Sequence, residues 1–412
     1  MKNLFFNLLI NNASQGLQFG SRWLLNLFLL TTLTTVGFAD FTFVYVLANF
    51  LLSVFPFGSS VFIINTTSNN KDALLKSIII INGLFFFTLV LYLLIYLIFK
   101  DWETLYFIWL GLVLAYVLSL NLVLFSYYKS ISNFIIELKS YIIFSLLLLS
   151  SFLTLYYLNN ELINIYSVFS VLILSNFIVF IYASNNVITF KTLIKKQYLL
   201  HFKDLLYNLK SRLYFGFQEI VTAIYSQGGM LVLYYLLTNE TYKTYRSFFI
   251  IVAPFFMFSV AFTQVMLNQM KRFKGKKLIN VFRKTQIIML CCSLLLSFVV
   301  FSLRDFIFFN LKMTSSHENI TSFYLIILIL NIRYIFANYE ILFIVLNKQA
   351  IRFYIMLVSA LFNMVSVFIL VPLYGLVGAM YVYVLSYLIV LMGLVIIGEF
   401  VLIKPEKNKL SF

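Results

Sequence analysis

The chain has 412 residues, of which 62% are hydrophobic and 11% charged, and its mean hydropathy is +0.98. Soluble domains average about 25% charged residues, so this composition excludes a water-soluble protein and leaves no room for a large soluble domain. The net charge of +16 therefore indicates loops that face anionic lipid rather than a nucleic-acid partner.

The apolar runs, taken in chain order, predict about twelve membrane-spanning helices, since each helix needs roughly 20 apolar residues. Several runs are apolar on every side, which excludes the alternating pattern of an outer-membrane barrel. The predicted spans are 6–30, 41–65, 77–99, 104–128, 140–158, 162–183, 213–237, 247–268, 285–303, 321–346, 353–371 and 376–402. The predicted fold is thus an all-α polytopic membrane protein.

A long basic connection lies midway along the chain, at residues 184–212. Its apolar residues recur at helical spacing, as in Ile194, Tyr198 and Phe202, which predicts an amphipathic helix on the cytoplasmic membrane face. We therefore expect an N-terminal six-helix lobe at 1–183 and a C-terminal six-helix lobe at 213–412. Six spans per lobe give both lobes the same orientation, as in parallel repeats.

The basic residues predict the orientation of the chain. With the N-terminus in the cytoplasm, 23 of the 30 Lys and Arg residues fall in cytoplasmic segments and 5 in outer ones. Cytoplasmic loops carry such an excess of positive charge. We expect a multi-pass protein of a cytoplasmic membrane, with both termini in the cytoplasm.

The first predicted span carries a polar stripe. Its members follow one another at intervals of four, three, four and four residues, which places them on one helix face: Asn11, Gln15, Gln18, Arg22 and Asn26. Lipid cannot solvate this face, so it lines a cavity or packs against a neighbouring helix. A zipper of amides between helices is the alternative, but Arg22 favours a cavity.

Two other charged residues lie well inside predicted spans. Arg333, in the tenth span, either pairs with Glu340 or binds an anion, because guanidinium grips phosphate oxygens in a planar fork. Together with Arg22, and without a matching number of central acids, it favours a cationic site. Glu219, in the seventh span, could carry H⁺ or Na⁺ in coupled transport or form a salt bridge with Arg22 or a neighbouring residue.

No motif indicates an enzyme. The sequence holds no GxxxxGK[ST] phosphate loop, and no catalytic triad or carboxylate pair stands out. His201 and His317 are isolated in loops, so no metal site and no cofactor are expected. Energy for transport would have to come from an ion gradient, the membrane potential or removal of the product.

Residues 370–387 read LVPLYGLVGAMYVYVLSY. This segment resembles the Pro-x-Tyr-Gly-x-x-Gly-Ala element of polysaccharide flippases, including the Wzx-type O-antigen exporters, which are related to MATE transporters within the MOP superfamily. The segment GFADFTFVYVLANFLLSVFPFGSSVF is similar too, although Thr42 stands where the family often has Gly, and so is TYKTYRSFFIIVAPFFMF. The matching residues of the first element are Pro372, Tyr374, Gly375, Gly378 and Ala379.

In this element, Pro372 and Gly375 predict a tight outer turn between the last two spans. Gly378 and Ala379 predict a close approach of helices.

The resemblance implies a MATE-like pair of lobes that alternates between inward-open and outward-open states. It also implies a cationic cavity that takes the pyrophosphate and sugars of an undecaprenyl-linked oligosaccharide, with Arg22 at the position of a family arginine. Roles for Arg333 and Glu219 come from the residues alone. The expected partners are this lipid-linked substrate, membrane lipid and the polysaccharide polymerase machinery of a bacterium.

Three other functions stay open on the sequence, one of them a lipid scramblase without sugar selectivity. A MATE-like drug or cation antiporter would need acidic residues in the cavity, where the central charges here are basic. A polysaccharide polymerase or ligase generally carries a large outer loop, whereas the predicted outer loops here are short apart from residues 304–320. The flippase is the function that the sequence favours.

Overall fold

The computed structural model confirms the all-α fold. Every regular element in the described part of the chain is a helix. The structure describes residues 2–65, 70–99, 105–131, 133–158, 162–185, 187, 202–210, 212–311 and 313–403.

The chain forms two compact units, residues 1–231 and 232–412. The helices of the first unit are α1 (Lys2–Thr32), α2 (Thr35–Val54), α3 (Ser59–Asn65), α4 (Asn70–Ile98), α5 (Leu105–Ser130), α6 (Phe134–Leu158), α7 (Ile165–Ser184), α8 (Phe202–Lys210) and α9 (Leu213–Ala223). A π-helical stretch, Ile224–Gly228, follows α9, and α10 (Gly229–Leu236) crosses the boundary between the units.

The second unit is also helical throughout its described residues. Its helices are α11 (Asn239–Met270), α12 (Gly275–Ser302), α13 (Arg304–Asn310), α14 (His317–Val345) and α15 (Gln349–Ile396). A π-helical stretch, Ile397–Ile403, continues α15. The eleventh and twelfth predicted spans both lie in α15, which is kinked at Gly375.

Eight helices in the described part of the chain are long and apolar enough to cross a membrane. Their outer surfaces suit lipid: Leu97 on α4 is 73% exposed and Phe298 on α12 is 71% exposed. In water such surfaces would be costly, but in a bilayer they contact acyl chains. The protein is therefore a multi-pass membrane protein.

Helix α5 forms the centre of the first unit, where it contacts α2, α3, α4, α6 and α7. Gly111 allows α2 to come close, since a Cβ there would lie 3.1 Å from the carbonyl oxygen of Val44. The Tyr128 hydroxyl donates to the carbonyl oxygen of Ala183 at 2.6 Å and so ties α5 to α7. This packing holds the helices around the cavity described below.

The second predicted span is interrupted, which corrects the prediction of a continuous helix at 41–65. The helix begins earlier, at Thr35, because the Thr34 side chain accepts a hydrogen bond from the N–H of Gly37. It breaks between α2 and α3, where Phe57 (φ 44°) and Gly58 (φ 73°) both take left-handed backbone conformations. Pro56 lies in this break and its carbonyl oxygen accepts from the Ser59 hydroxyl.

Helix α9 packs directly on the break between α2 and α3. A Cβ on Gly58 would lie 2.6 Å from the Cβ of Phe215 and 2.7 Å from the backbone nitrogen of Gly216. A Cβ on Gly216 would in turn lie 2.6 Å from the ring of Phe57. The two glycines therefore meet at a contact that admits no side chain.

The boundary of the two predicted lobes at 184–212 stays a prediction. Residues 188–201, which carry most of the predicted amphipathic helix, lie outside the described residues. The described residues of α9 belong to the first unit, where this helix contacts α2 and α3.

The predicted outer turn in the Pro-x-Tyr-Gly element is a kink within α15. Gly375 has a left-handed φ of 54°, and the N–H of Leu376, freed by the kink, donates to Glu318 Oε1 at 3.1 Å. A Cβ on Gly378 would clash with the carbonyl oxygen of Leu370. Gly378 therefore allows the helical segments before and after the kink to come close to each other, and the role of Ala379 stays a prediction.

We predict that Gly58→Ala lowers the free energy of unfolding by about 2–4 kcal/mol, because alanine disfavours a left-handed φ and overpacks the contact with α9. The measurement is denaturation of the purified protein in detergent. Gly20→Ala is the matched control, since a Cβ there meets nothing within 4 Å. Equal stability of the two variants would contradict the packing described here.

Candidate functional site

A cavity of about 40 Å³ lies within the first unit. Helices α1, α2, α5, α6 and α7 contribute its lining, which includes Leu52, Phe125 and Phe144 on the apolar side. The polar side chains of the lining are Gln18, Arg22, Asn121, Tyr141 and Asn176. Arg22 is the one charged residue among the described residues that line the cavity, so the described lining is cationic.

Some residues of the polar stripe on α1 line the cavity, and others form hydrogen bonds within their own helix or are partly buried. Gln18 and Arg22 line the cavity, whereas the Asn26 amide donates to the carbonyl oxygen of Arg22 at 2.7 Å. Asn11 has a buried Oδ1 without a hydrogen-bond partner in the described part of the chain, and Gln15 is partly buried. Binding of substrate by the stripe stays a prediction.

Two asparagines that the sequence reasoning missed form part of the cavity wall. The Asn121 amide on α5 donates to the carbonyl oxygen of Asn176 on α7 at 2.9 Å. The Asn176 amide donates to its own helix, at the carbonyl oxygen of Leu172. A single Asn within each of two long apolar runs was the signal that could have pointed to them, because amides inside membrane helices need partners.

Tyr141 is the third missed residue of the site. It precedes the middle of α6 and is buried, with its ring 5.2 Å from that of Phe125. A tyrosine in an apolar run looks like ordinary core, and only the packing of α6 against α1 and α5 brings it into the lining. It adds a phenol to the guanidinium and amides of the cavity.

Glu219 lies at the break between α2 and α3. Its Oε2 accepts a hydrogen bond from the N–H of Gly58 at 2.8 Å. Arg22 and Glu219 form no ion pair in the structure, whose described ion pairs lie elsewhere. The predicted ion-coupling carboxylate thus holds a backbone amide at a helix break, and its role in coupling stays a prediction.

Arg333 pairs with Glu340, as one of the two sequence hypotheses predicted. Arg333 Nη1 lies 3.6 Å from Glu340 Oε2, and Arg352 Nη2 lies 3.0 Å from Glu340 Oε1. The Arg333 guanidinium also lies 4.8 Å from the ring centroid of Phe336. Arg333 and Arg352 therefore share the carboxylate of Glu340. Anion binding by Arg333 stays a prediction.

Metal ligands do not cluster in the described part of the chain. No three His, Cys, Asp or Glu side chains among those residues gather in a way that could hold a metal ion.

The architecture defines the class of protein: a helical, multi-pass membrane protein with the fold of MOP superfamily transporters. The chain is similar to a MOP superfamily transporter from Pyrococcus furiosus, with a TM-score of 0.68 and 13% identity over 98% of this chain and 96% of that one.

Two further solved structures represent different branches of this fold. The lipid II flippase MurJ, in an inward closed conformation, gives a TM-score of 0.64 and 15% identity over 96% of this chain and 86% of that one. A multidrug resistance MATE transporter, in an inward-facing conformation, gives a TM-score of 0.64 and 12% sequence identity over 96% of this chain and 96% of that one. Identities this low establish the fold alone. No family model and no curated protein matches the sequence.

We predict that Glu340→Ala destabilises the protein by about 3 kcal/mol, because it leaves two neighbouring arginines without their carboxylate in a mostly buried cluster. Denaturation in detergent measures the effect. The control is Asp305→Asn. This variant removes the carboxylate that pairs with Arg304, and the Asp305 side chain is 87% exposed. Such exposed pairs contribute below about 1 kcal/mol. A cost at Glu340 no greater than at Asp305 would show that the arginines do not depend on Glu340.

Proposed function

We propose that this protein is a flippase. It would move an undecaprenyl-pyrophosphate-linked oligosaccharide, such as an O-antigen or capsule repeat unit, from the cytoplasmic to the outer leaflet by alternating access. The observation that carries the proposal is the cavity of the first unit, where Arg22 is the one charged lining residue and amides and a phenol surround it.

The chemistry of this lining favours a phosphate-bearing substrate. An arginine inside a membrane helix costs about 2.5–3.5 kcal/mol on insertion scales, so an anionic ligand offsets part of that cost. Guanidinium offers phosphate two parallel N–H donors. A cationic drug would meet repulsion from Arg22 at the same place, because no carboxylate is among the described residues that line the cavity.

The size of the cavity supports alternating access within this proposal. A volume of about 40 Å³ accommodates a small polar group and not a sugar chain. The proposed substrate therefore requires a second, more open state. The similarity in fold to the lipid II flippase MurJ and to a MATE transporter is consistent with a protein that changes state.

The proposed setting is the cytoplasmic membrane of a bacterium. Both termini would face the cytoplasm, in accord with the distribution of Lys and Arg. The substrate would arrive from enzymes that assemble it on the cytoplasmic side and would pass to polysaccharide polymerase machinery on the outer side. We assign no catalytic step and no cofactor to this chain, and H⁺ or Na⁺ would be the coupling ion if a gradient drives transport.

A MATE-like cation antiporter is the second candidate, and Glu219 is the observation that favours it. This carboxylate is partly buried and its described contact is the N–H of Gly58. A carboxylate inside a membrane protein can exchange H⁺ or Na⁺ with a cationic substrate. It lies at the helix break, however, and is not among the residues that line the cavity with Arg22.

We predict that Arg22→Gln reduces the transport of a fluorescent polyprenyl-pyrophosphate oligosaccharide in proteoliposomes by tenfold or more, on the order of one charge-assisted hydrogen bond. Glutamine keeps a polar side chain but removes the positive charge. Protection of the fluorophore from a membrane-impermeant quencher reports the leaflet that holds the substrate.

Arg304→Gln is the matched control, since this arginine lies outside the predicted spans and pairs with the exposed Asp305. It should transport at the wild-type rate. If Arg22→Gln also transports at that rate while folding normally, the anion site at Arg22 is excluded. Transport of an organic cation by the wild-type protein, lost in Glu219→Gln, would favour the antiporter.

A further inference from the structure

A second arginine of the first unit is buried without a described carboxylate. Arg212 precedes α9, and its side chain is 1% exposed. By residue volume it ranks first among the fully buried side chains of the described residues. Burial lowers the pKa of its guanidinium to about 10, so the group stays positively charged at neutral pH. A buried charge of this kind costs several kcal/mol unless other groups compensate it.

Neutral groups compensate one side of the guanidinium. Arg212 Nη1 donates to the hydroxyl oxygens of Ser59 at 2.6 Å and Ser77 at 2.8 Å. The guanidinium carbon lies 4.2 Å from the ring centroid of Phe62, a cation–π contact. These contacts fix the orientation of the guanidinium against α3 and α4 but supply no negative charge.

The other edge of the guanidinium has no hydrogen-bond partner among the described residues. Arg212 Nε and Nη2 are buried and form no hydrogen bond with any described residue. These two nitrogens form the edge that carries parallel N–H groups, the geometry that grips two oxygens of a carboxylate or phosphate. A preoriented fork without an acceptor is an unusual feature, since buried donors are nearly always paired.

The nearby described carboxylates are engaged elsewhere. Asp72 of α4 pairs with Lys76 at 2.8 Å on a largely exposed face of that helix. Glu219 of α9 accepts from the N–H of Gly58. Neither forms an ion pair with Arg212, so no described carboxylate completes the fork.

We propose that Arg212 is a binding site for one phosphate group, held by its Nε and Nη2 edge between α3, α4 and α9. The site is distinct from the cavity at Arg22, since none of Arg212, Ser59, Ser77 and Phe62 lines that cavity. The phosphate belongs to a phospholipid headgroup or to free inorganic phosphate. Both offer the paired oxygens that the fork fits.

The position of α8 favours the lipid source. This helix ends at Lys210, two residues before Arg212, and it presents Leu206 and Tyr207 to the outside, 50% and 75% exposed. An apolar side chain and a tyrosine exposed together are typical of a helix at the membrane interface, the depth of lipid phosphates.

The test is thermal unfolding of the purified full-length protein with two probes. One arm adds sodium phosphate, with sodium chloride at equal ionic strength as the reference. The other adds phosphatidylglycerol to the detergent micelles, with diacylglycerol, which lacks the phosphate, as the reference. Wild type, Arg212→Met, Arg212→Lys and the exposed-site control Arg304→Met are compared.

We expect the wild type and Arg304→Met to unfold several degrees higher with phosphatidylglycerol than with diacylglycerol. Arg212→Met should lose this rise, and Arg212→Lys should need about tenfold more ligand, because it keeps the charge without the fork. A rise with sodium phosphate alone would support the site with free phosphate as its ligand.

A wild-type protein that responds to neither probe would overturn the proposal. An equal response in wild type and Arg212→Lys would also overturn it, since the fork would then be irrelevant. Arg212→Lys serves as the second variant in case Arg212→Met does not fold. Because the readout is stability, the result is independent of whether the protein is a flippase.

Discussion

The constraint on which this structure depends is the placement of positive charge inside an apolar helical protein. Three arginines have guanidinium groups inside the protein, and a different set of neighbouring groups stabilises each. Arg333 shares the carboxylate of Glu340 with a second arginine. Arg212 relies on two serine hydroxyls and an aromatic ring, and Arg22 lies in a cavity lined by amides and a phenol. Since lipid solvates none of these cations, those left without a carboxylate are where anionic ligands are expected.

The break between α2 and α3 depends on close packing and on one carboxylate. Two consecutive left-handed residues are held there by tight packing of α9 and by the hydrogen bond from the Gly58 N–H to Glu219. The residue proposed to carry H⁺ or Na⁺ is thus also the residue that stabilises the break. In the second candidate function, a proton-coupled antiporter, a proton on Glu219 would weaken this hydrogen bond, because a neutral carboxyl is a poorer acceptor than a carboxylate.

The sequence predicted the parts of the structure that follow from local pattern. Hydropathy predicted the helices, and the spacing on α1 predicted that Gln18 and Arg22 share a polar face. It did not predict Asn121 and Asn176, because their contact joins residues 55 positions apart. Nor did it single out Arg212, which looks like one more basic loop residue until α3 and α4 enclose it. Counting basic residues assigns Arg212 to a loop, but only tertiary packing determines whether its side chain is buried.

The central claim is translocation of a lipid-linked oligosaccharide, and its most direct measurement is the leaflet that holds this lipid in cells lacking the protein. Accessibility of the oligosaccharide to a membrane-impermeant glycosidase or label distinguishes the two leaflets. The account predicts accumulation on the cytoplasmic side, restored to normal by the wild-type chain. Accumulation on the outer side would contradict it and favour a polymerase or ligase. No accumulation, with altered sensitivity to cationic drugs, would contradict it in favour of the antiporter.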